Sequence, residues 1–77
     1  MQFYFDLVSE QERDVDHEGM DLPSVAAAKT EAEQSAREMV AEIILHEDRV
    51  DGMRFEIRNA GGRIVETVRF RDVIRLD

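Results

Sequence analysis

From Val25 to about Glu47 the chain contains neither proline nor glycine, and this stretch constrains the fold more than any other. Ala, Glu, Lys, Gln and Arg dominate it, and all favour the helical state. Pro23 precedes it, and Ser24 is placed to cap the first turn by accepting a bond from an orphan backbone N–H. The third residue after Ser24 is Ala27, so no capping box forms. Val25, Ala28, Ala32, Ala36, Met39, Val40, Ile43 and Ile44 fall on one stripe at three- and four-residue spacing, with Glu31, Glu33, Glu38 and Glu42 mostly off it. The stripe is small in its first half and large in its second. The helix is therefore expected to approach a sheet closely at one end and to fill a wider gap at the other.

The rest of the chain supplies that sheet. Residues 2–8 alternate, with Phe3, Phe5 and Leu7 on one face and Gln2, Tyr4 and Asp6 on the other. Ser9 to Glu18 has almost nothing apolar to bury and is expected to be a solvated loop. Gly19 signals a turn, and Met20-Asp21-Leu22 is a short second strand or an extended lead into Pro23. After Asp51-Gly52, Met53, Phe55 and Ile57 alternate with Arg54, Glu56 and Arg58 as a half-buried strand. Asn59-Ala60-Gly61-Gly62 reverses the chain, and Ile64, Val65, Thr67, Val68 and Phe70 form the return strand.

Charge suggests the register of this hairpin. Pairing Asn59 with Gly62 sets Ile57 opposite Ile64, Phe55 opposite Glu66 and Met53 opposite Val68. A slip of one residue sets Glu56 opposite Glu66, and like charges directly across a ladder are unfavourable. The first register is expected, although it leaves Arg58 facing Arg63 and puts Glu66 on the core face. Glu66 then sits at a sheet margin or is re-aimed by a bulge; both remain open. Val73, Ile74 and Leu76 suit a closing helical turn or an extended tail. The sum is a two-layer α+β domain over residues 1–77, of order β-(β)-α-β-β. One long helix packs on one face of a small antiparallel sheet. Tyr4, Arg54, Arg58, Val65 and Thr67 are expected on the open face.

Composition narrows the function. A net charge of −8 on 77 residues repels phosphate backbones and anionic lipid, which disfavours nucleic acid and membrane partners. Without cysteine there is no disulfide framework and no thiolate metal site. No apolar run approaches the roughly 20 residues that span a bilayer. Met1-Gln2-Phe3-Tyr4-Phe5-Asp6 lacks the basic head of a signal peptide, so a cytoplasmic location is expected. The charge forms a gradient. Residues 1–23 carry net −6, residues 24–48 net −4, and residues 49–77 net +2 with seven arginines.

Few constellations carry chemistry. Asp14-x-Asp16-x-Glu18-Gly19 resembles the first half of a calcium-binding loop, and Asp14, Asp16 and Glu18 are the candidate ligands. The twelfth position from Asp14 is Val25, where a bidentate Glu is required; a solvated acidic loop is the preferred reading. His17 and His46 lack companions at metal-ligand spacing. Ser9, Ser24 and Ser35 lie in loop, cap and helix contexts without an evident base. Gly61-Gly62-Arg63 leads into a strand and so is no phosphate cradle. Neither catalysis nor a cofactor is expected. Arginine makes up nine of the ten basic residues and suits bidentate pairing with carboxylates. Tyr4, Arg54, Arg58, Arg63, Val65, Thr67 and Arg69 are therefore the candidate partner-binding residues.

The chain resembles a family of short alphaproteobacterial proteins known only as a domain of unknown function. The likeness rests on Phe3-Tyr4-Phe5-Asp6-Leu7, Asp16-His17-Glu18-Gly19 before Leu22-Pro23, and Ala26-Ala27-Ala28 with Glu31-Ala32. Asp51-Gly52, Gly61-Gly62-Arg63 and Phe70-x-Asp72 complete it. These motifs are structural punctuation, so the resemblance implies a fold and offers no catalytic residues. A fainter likeness is to HicB-type antitoxins, through the opening strand, acidic Glu-Gly loop, Leu-Pro step and alanine-rich helix. The expected role is a small cytoplasmic interaction or regulatory module that self-associates or binds a small protein. The alternatives are an antitoxin-like or nucleic-acid-linked regulator, and cation binding by residues 14–18.

Overall fold

A computed structural model describes residues 1–45 and 52–73. The elements are β1 (Gln2–Val8), β2 (Arg13–Asp14), β3 (Met20–Asp21), α1 (Val25–Leu45), β4 (Arg54–Asn59), β5 (Ile64–Arg69) and α2 (Phe70–Val73). All strand pairs are antiparallel, in the order β2-β1-β4-β5. β3 shares the outer edge of β1 with β2: Gln2 and Phe3 pair with β3, and Leu7 and Val8 with β2. This is the expected α+β architecture, a long helix on an antiparallel sheet. The acidic segment is not wholly a loop, because Arg13–Asp14 adds a short strand within it.

The capping expectation holds: Ser24 Oγ accepts the Ala27 N–H at 3.0 Å. Ala28, Ala32, Ala36 and Val40 of α1 are buried, and Val25 and Met39 pack beside them. They meet Phe3, Phe55, Ile57 and Val68 from the sheet and Phe70 and Val73 from α2. Alanines bring the helix close without strain, so Phe3, Ile57 and Phe70 are fully enclosed. Each such side chain contributes roughly 1.5–3 kcal/mol through burial. The expected helix end at Glu47, His46, the Ile43 and Ile44 side chains and the closing Ile74 and Leu76 lie outside what is described. Phe70 opens α2 instead of ending β5; its N–H donates to Met53 O at 2.9 Å and its ring lies 5.4 Å from that of Phe55.

The hairpin register differs from the expected one by two residues, and each has a local cause. The first arises at the turn. Gly62 N–H donates to Asn59 O at 3.0 Å with Gly62 at φ +84°, and Asn59 N–H then reaches Arg63 O at 2.9 Å. A left-handed glycine after such a turn lengthens the loop by one residue. The Asn59 carboxamide fixes it, as Oδ1 accepts the Gly61 and Arg63 N–H groups, each at 3.0 Å. The second is a bulge: Arg58 pairs with Ile64 but Ile57 pairs with Glu66, leaving Val65 as the extra residue. Phe55 therefore faces Val68.

Two face assignments change with it. Ile64, expected on the core face, is 48% exposed and opposite Arg58 on the open face. Val65, expected on the open face, is half-buried and packs against the core. A bulged residue and its successor oppose one partner, so strict alternation fails there. Glu66 keeps its place on the core face, at the sheet margin on the edge strand β5. It lies across from Ile57, half-buried, with Oε1 accepting the Thr67 N–H at 3.1 Å.

Candidate functional site

On the face turned away from α1, the ladders align side chains in three rows across the strands. They are Tyr4–Arg58–Ile64, Asp6–Glu56–Thr67 and Val8–Arg54–Arg69. Two carboxylates are thus cross-strand neighbours at the centre, and both are buried: Asp6 is 1% and Glu56 8% exposed. Burying a carboxylate costs several kcal/mol unless partners compensate. Here arginines do. Arg58 grips Asp6 with two bonds, Nε to Oδ2 at 2.8 Å and Nη2 to Oδ1 at 3.0 Å. Arg54 Nε donates to Glu56 Oε2 at 3.0 Å. Arg13 reaches in from β2 and joins the two acids, Nη1 to Asp6 Oδ2 at 3.0 Å and Nη2 to Glu56 Oε1.

The acidic segment closes the cluster. Asp16 N–H donates to Asp6 Oδ1 at 3.0 Å, and Arg58 Nη2 to the Asp16 carbonyl at 3.2 Å. The Asp16 carboxylate turns to the backbone: Oδ2 accepts the Phe5 N–H at 3.0 Å, and Oδ1 those of Glu18 and Gly19. Phe5 lies on β1 between its pairings with β3 and β2. The Asp16 side chain thus stands in for a strand in that gap. Gly19, at φ +74°, permits the close approach; a Cβ there would lie 2.7 Å from Phe3 O. Among the described residues, no buried side-chain polar atom lacks a partner.

These contacts set the ionisation. Burial pushes the Asp6 carboxyl up, but the Arg58 hydrogen bonds, the Asp16 N–H and the nearby arginine charges outweigh it and hold it below the usual carboxylate value. Glu56 is likewise raised by burial and lowered further by Arg13 and Arg54. Asp16 is pulled down, against burial and the Asp6 charge, by three backbone N–H groups. The hydrogen bond to Glu56 raises Arg13, and that to Asp6 raises Arg58.

The candidate partner-binding residues separate accordingly. Arg54 and Arg58 belong to the ionic cluster, and the Arg58 guanidinium also lies 5.1 Å above the half-buried Tyr4 ring. Thr67 and Arg69 are exposed, with Arg69 Nε bonded to Asp72 Oδ2 at 2.9 Å. Arg63 is exposed at the turn, away from the three rows, and Val65 is half-buried against the core. Asp14 and Glu18 are exposed while the Asp16 carboxylate is taken up by backbone. Among the described residues no three His, Cys, Asp or Glu side chains group as a metal site would require. Asp6, Glu56 and Arg13 were not anticipated. The available signal was a lone acid between large apolar residues in two strands, Phe5-Asp6-Leu7 and Phe55-Glu56-Ile57.

Helix-on-sheet architecture with an arginine-clamped acid pair on the open face defines the structural class. The chain belongs to the family described as Domain of unknown function (DUF6894), whose model matches residues 2–71. Comparison with curated proteins and with solved structures gives no match. No helix among the described residues is long and apolar enough to cross a membrane.

Proposed function

We propose that the chain is a small, non-catalytic interaction module of the cytoplasm that self-associates, presenting the open face of its sheet to an acidic surface of another copy. The carrying observation is that this face bears four arginines, Arg13, Arg54, Arg58 and Arg69, against two buried carboxylates in a chain of net charge −8. Carboxylates held ionised and surrounded by donors do not shuttle protons near neutral pH, which favours a binding role over acid–base chemistry. They hold guanidinium groups in place, and a preorganised surface loses less entropy on binding. Among the described residues the Nη groups of Arg54 and Arg69 have no partner, and these two arginines lie directly opposite each other. Tyr4 and Ile64 add apolar area on either side of Arg58, at the other end of this face, and tyrosine and arginine are enriched at interfaces.

Light scattering over a range of protein and salt concentrations tests this reading. A concentration-dependent increase in mass is expected, weakened by salt and by Arg69→Glu or Thr67→Glu. A monomer at every concentration in both low and high salt overturns it.

A further inference from the structure

The other face of the sheet holds a second surface of opposite character. An α-helix is about 10 Å across and strands lie about 4.8 Å apart, so one helix covers about two strands. α1 packs chiefly on β4, β5 and α2. β1 lies to one side, and its Phe5 and Leu7, although on the core face, are only half-buried. With Phe55 they floor a wide-mouthed groove of about 440 Å³. The outer wall is the acidic segment from Asp14 to Glu18, in which Val15 is 37% exposed.

Strand alternation in β2 gives this groove its sign. Arg13, paired with Val8, goes to the open face, whereas Asp14, paired with Leu7, goes to the groove side. The ionic cluster thereby draws the segment's arginine to one face and leaves its acids on the other. Among the described residues, neither Asp14 nor Glu18 forms a salt bridge. An apolar floor beside unneutralised carboxylates complements a chain that alternates aliphatic with cationic side chains, the period-2 pattern of an extended segment.

We infer that this groove docks an extended segment of a partner protein in which aliphatic residues alternate with arginine or lysine. The Asp14-x-Asp16-x-Glu18 motif then has divided work. Asp16 fixes the segment to β1, while Asp14 and Glu18 attract the partner's cations. The surface lies on the opposite side of the sheet from the proposed self-association, so either can fail without the other.

The test is an NMR titration of the isotope-labelled chain with two synthetic hexapeptides, one alternating Leu and Arg, the other Leu and Glu. The Leu-Arg peptide is expected to shift the amides of Phe5, Leu7, Val15 and Glu18 saturably, and to bind more weakly as salt rises. The Leu-Glu peptide is expected to leave them unmoved. Asp14→Lys combined with Glu18→Lys should weaken binding at least tenfold with an unchanged melting curve. Val15→Lys, which leaves both acids in place, provides a second variant with the same expected direction. Three results overturn the inference: no shifts at millimolar Leu-Arg peptide, equal binding of both peptides, or shifts confined to Tyr4, Thr67 and Arg69.

Discussion

Asp6 and Glu56 face each other across the β1–β4 ladder, and one arginine from a third strand binds both. Like charges directly opposite in a sheet repel, so the pair is tolerable only because Arg13 lies between them, Arg58 binds both Asp6 oxygens and Arg54 binds the second Glu56 oxygen. The acidic segment is thereby tied to the sheet by charge where it has almost no apolar residue with which to pack.

Removing the bridge should unmask the repulsion. Arg13→Met is expected to lower the urea midpoint, and Glu56→Gln to cost stability in the native background. In the Arg13→Met background Glu56→Gln should cost less, or stabilise, because it removes one of two uncompensated charges. A double-mutant cycle reads this directly. Equal costs in both backgrounds would show that Arg13 does not couple the acids.

The acids should also determine behaviour at low pH. Asp6, Glu56 and Asp16 are all held below their ordinary values. The folded chain therefore binds fewer protons at these sites than the unfolded chain in the acid range, and stability falls as pH falls. Their contribution is complete well above the unfolded carboxylate values, begins to fall as pH drops through them, and is lost as pH passes down through the folded ones. Asp6→Asn should cost about 2–3 kcal/mol at pH 7 and progressively less as the pH falls below the ordinary carboxylate value. Thermal melts across this range check it; parallel curves for the two proteins would be the contrary outcome.

Asp16 acts through backbone, which hydrogen exchange can isolate. Asp16→Ala leaves the Phe5 N–H without its acceptor and should cost about 1–3 kcal/mol, the range for an unsatisfied buried donor. The Phe5 amide should lose protection well beyond the global change. Uniform loss along β1 would mean that Asp16 contributes only to overall stability.

Two glycines separate backbone strain from crowding. Both have positive φ, but a Cβ at Gly62 meets nothing within 4 Å, whereas at Gly19 it would press on Phe3 O and Gln2 Nε2. Gly62→Ala should cost about 1–2 kcal/mol from conformation alone, and Gly19→Ala clearly more. Chemical denaturation of the two variants decides it, and equal costs would refute the close approach at Gly19.

Much of the architecture was legible because periodicity reports burial directly. The alanine stripe of α1, its Ser24 cap and the alternation in β1 all appear where residue spacing puts them. Hairpin register was not, since it depends on two one-residue insertions. Weighing Glu56 against Glu66 could reject a uniform slip but could not foresee a left-handed Gly62 followed by a bulge at Val65. The acid cluster was hidden for another reason. Asp6 and Arg58 are far apart in sequence, and a charged residue on the nominal solvent face looks the same whether it meets water or a guanidinium. Only the path of the acidic segment, which brings Arg13 and Asp16 over β1, distinguishes the two.

The Asp16 carboxylate also bears on which margin of the sheet could accept a further strand. By occupying the outward amide of Phe5 it helps seal the β1 side of the sheet, together with the two short strands that flank it. Sheets extend by adding strands to unpaired margins. Extension from β1 would have to displace a charged ligand from its backbone donors, whereas β5 has no strand neighbour beyond it among the described residues. Lateral growth from the β1 side is therefore blocked, which leaves at most one margin of the sheet for strand addition and disfavours open-ended stacking into fibres.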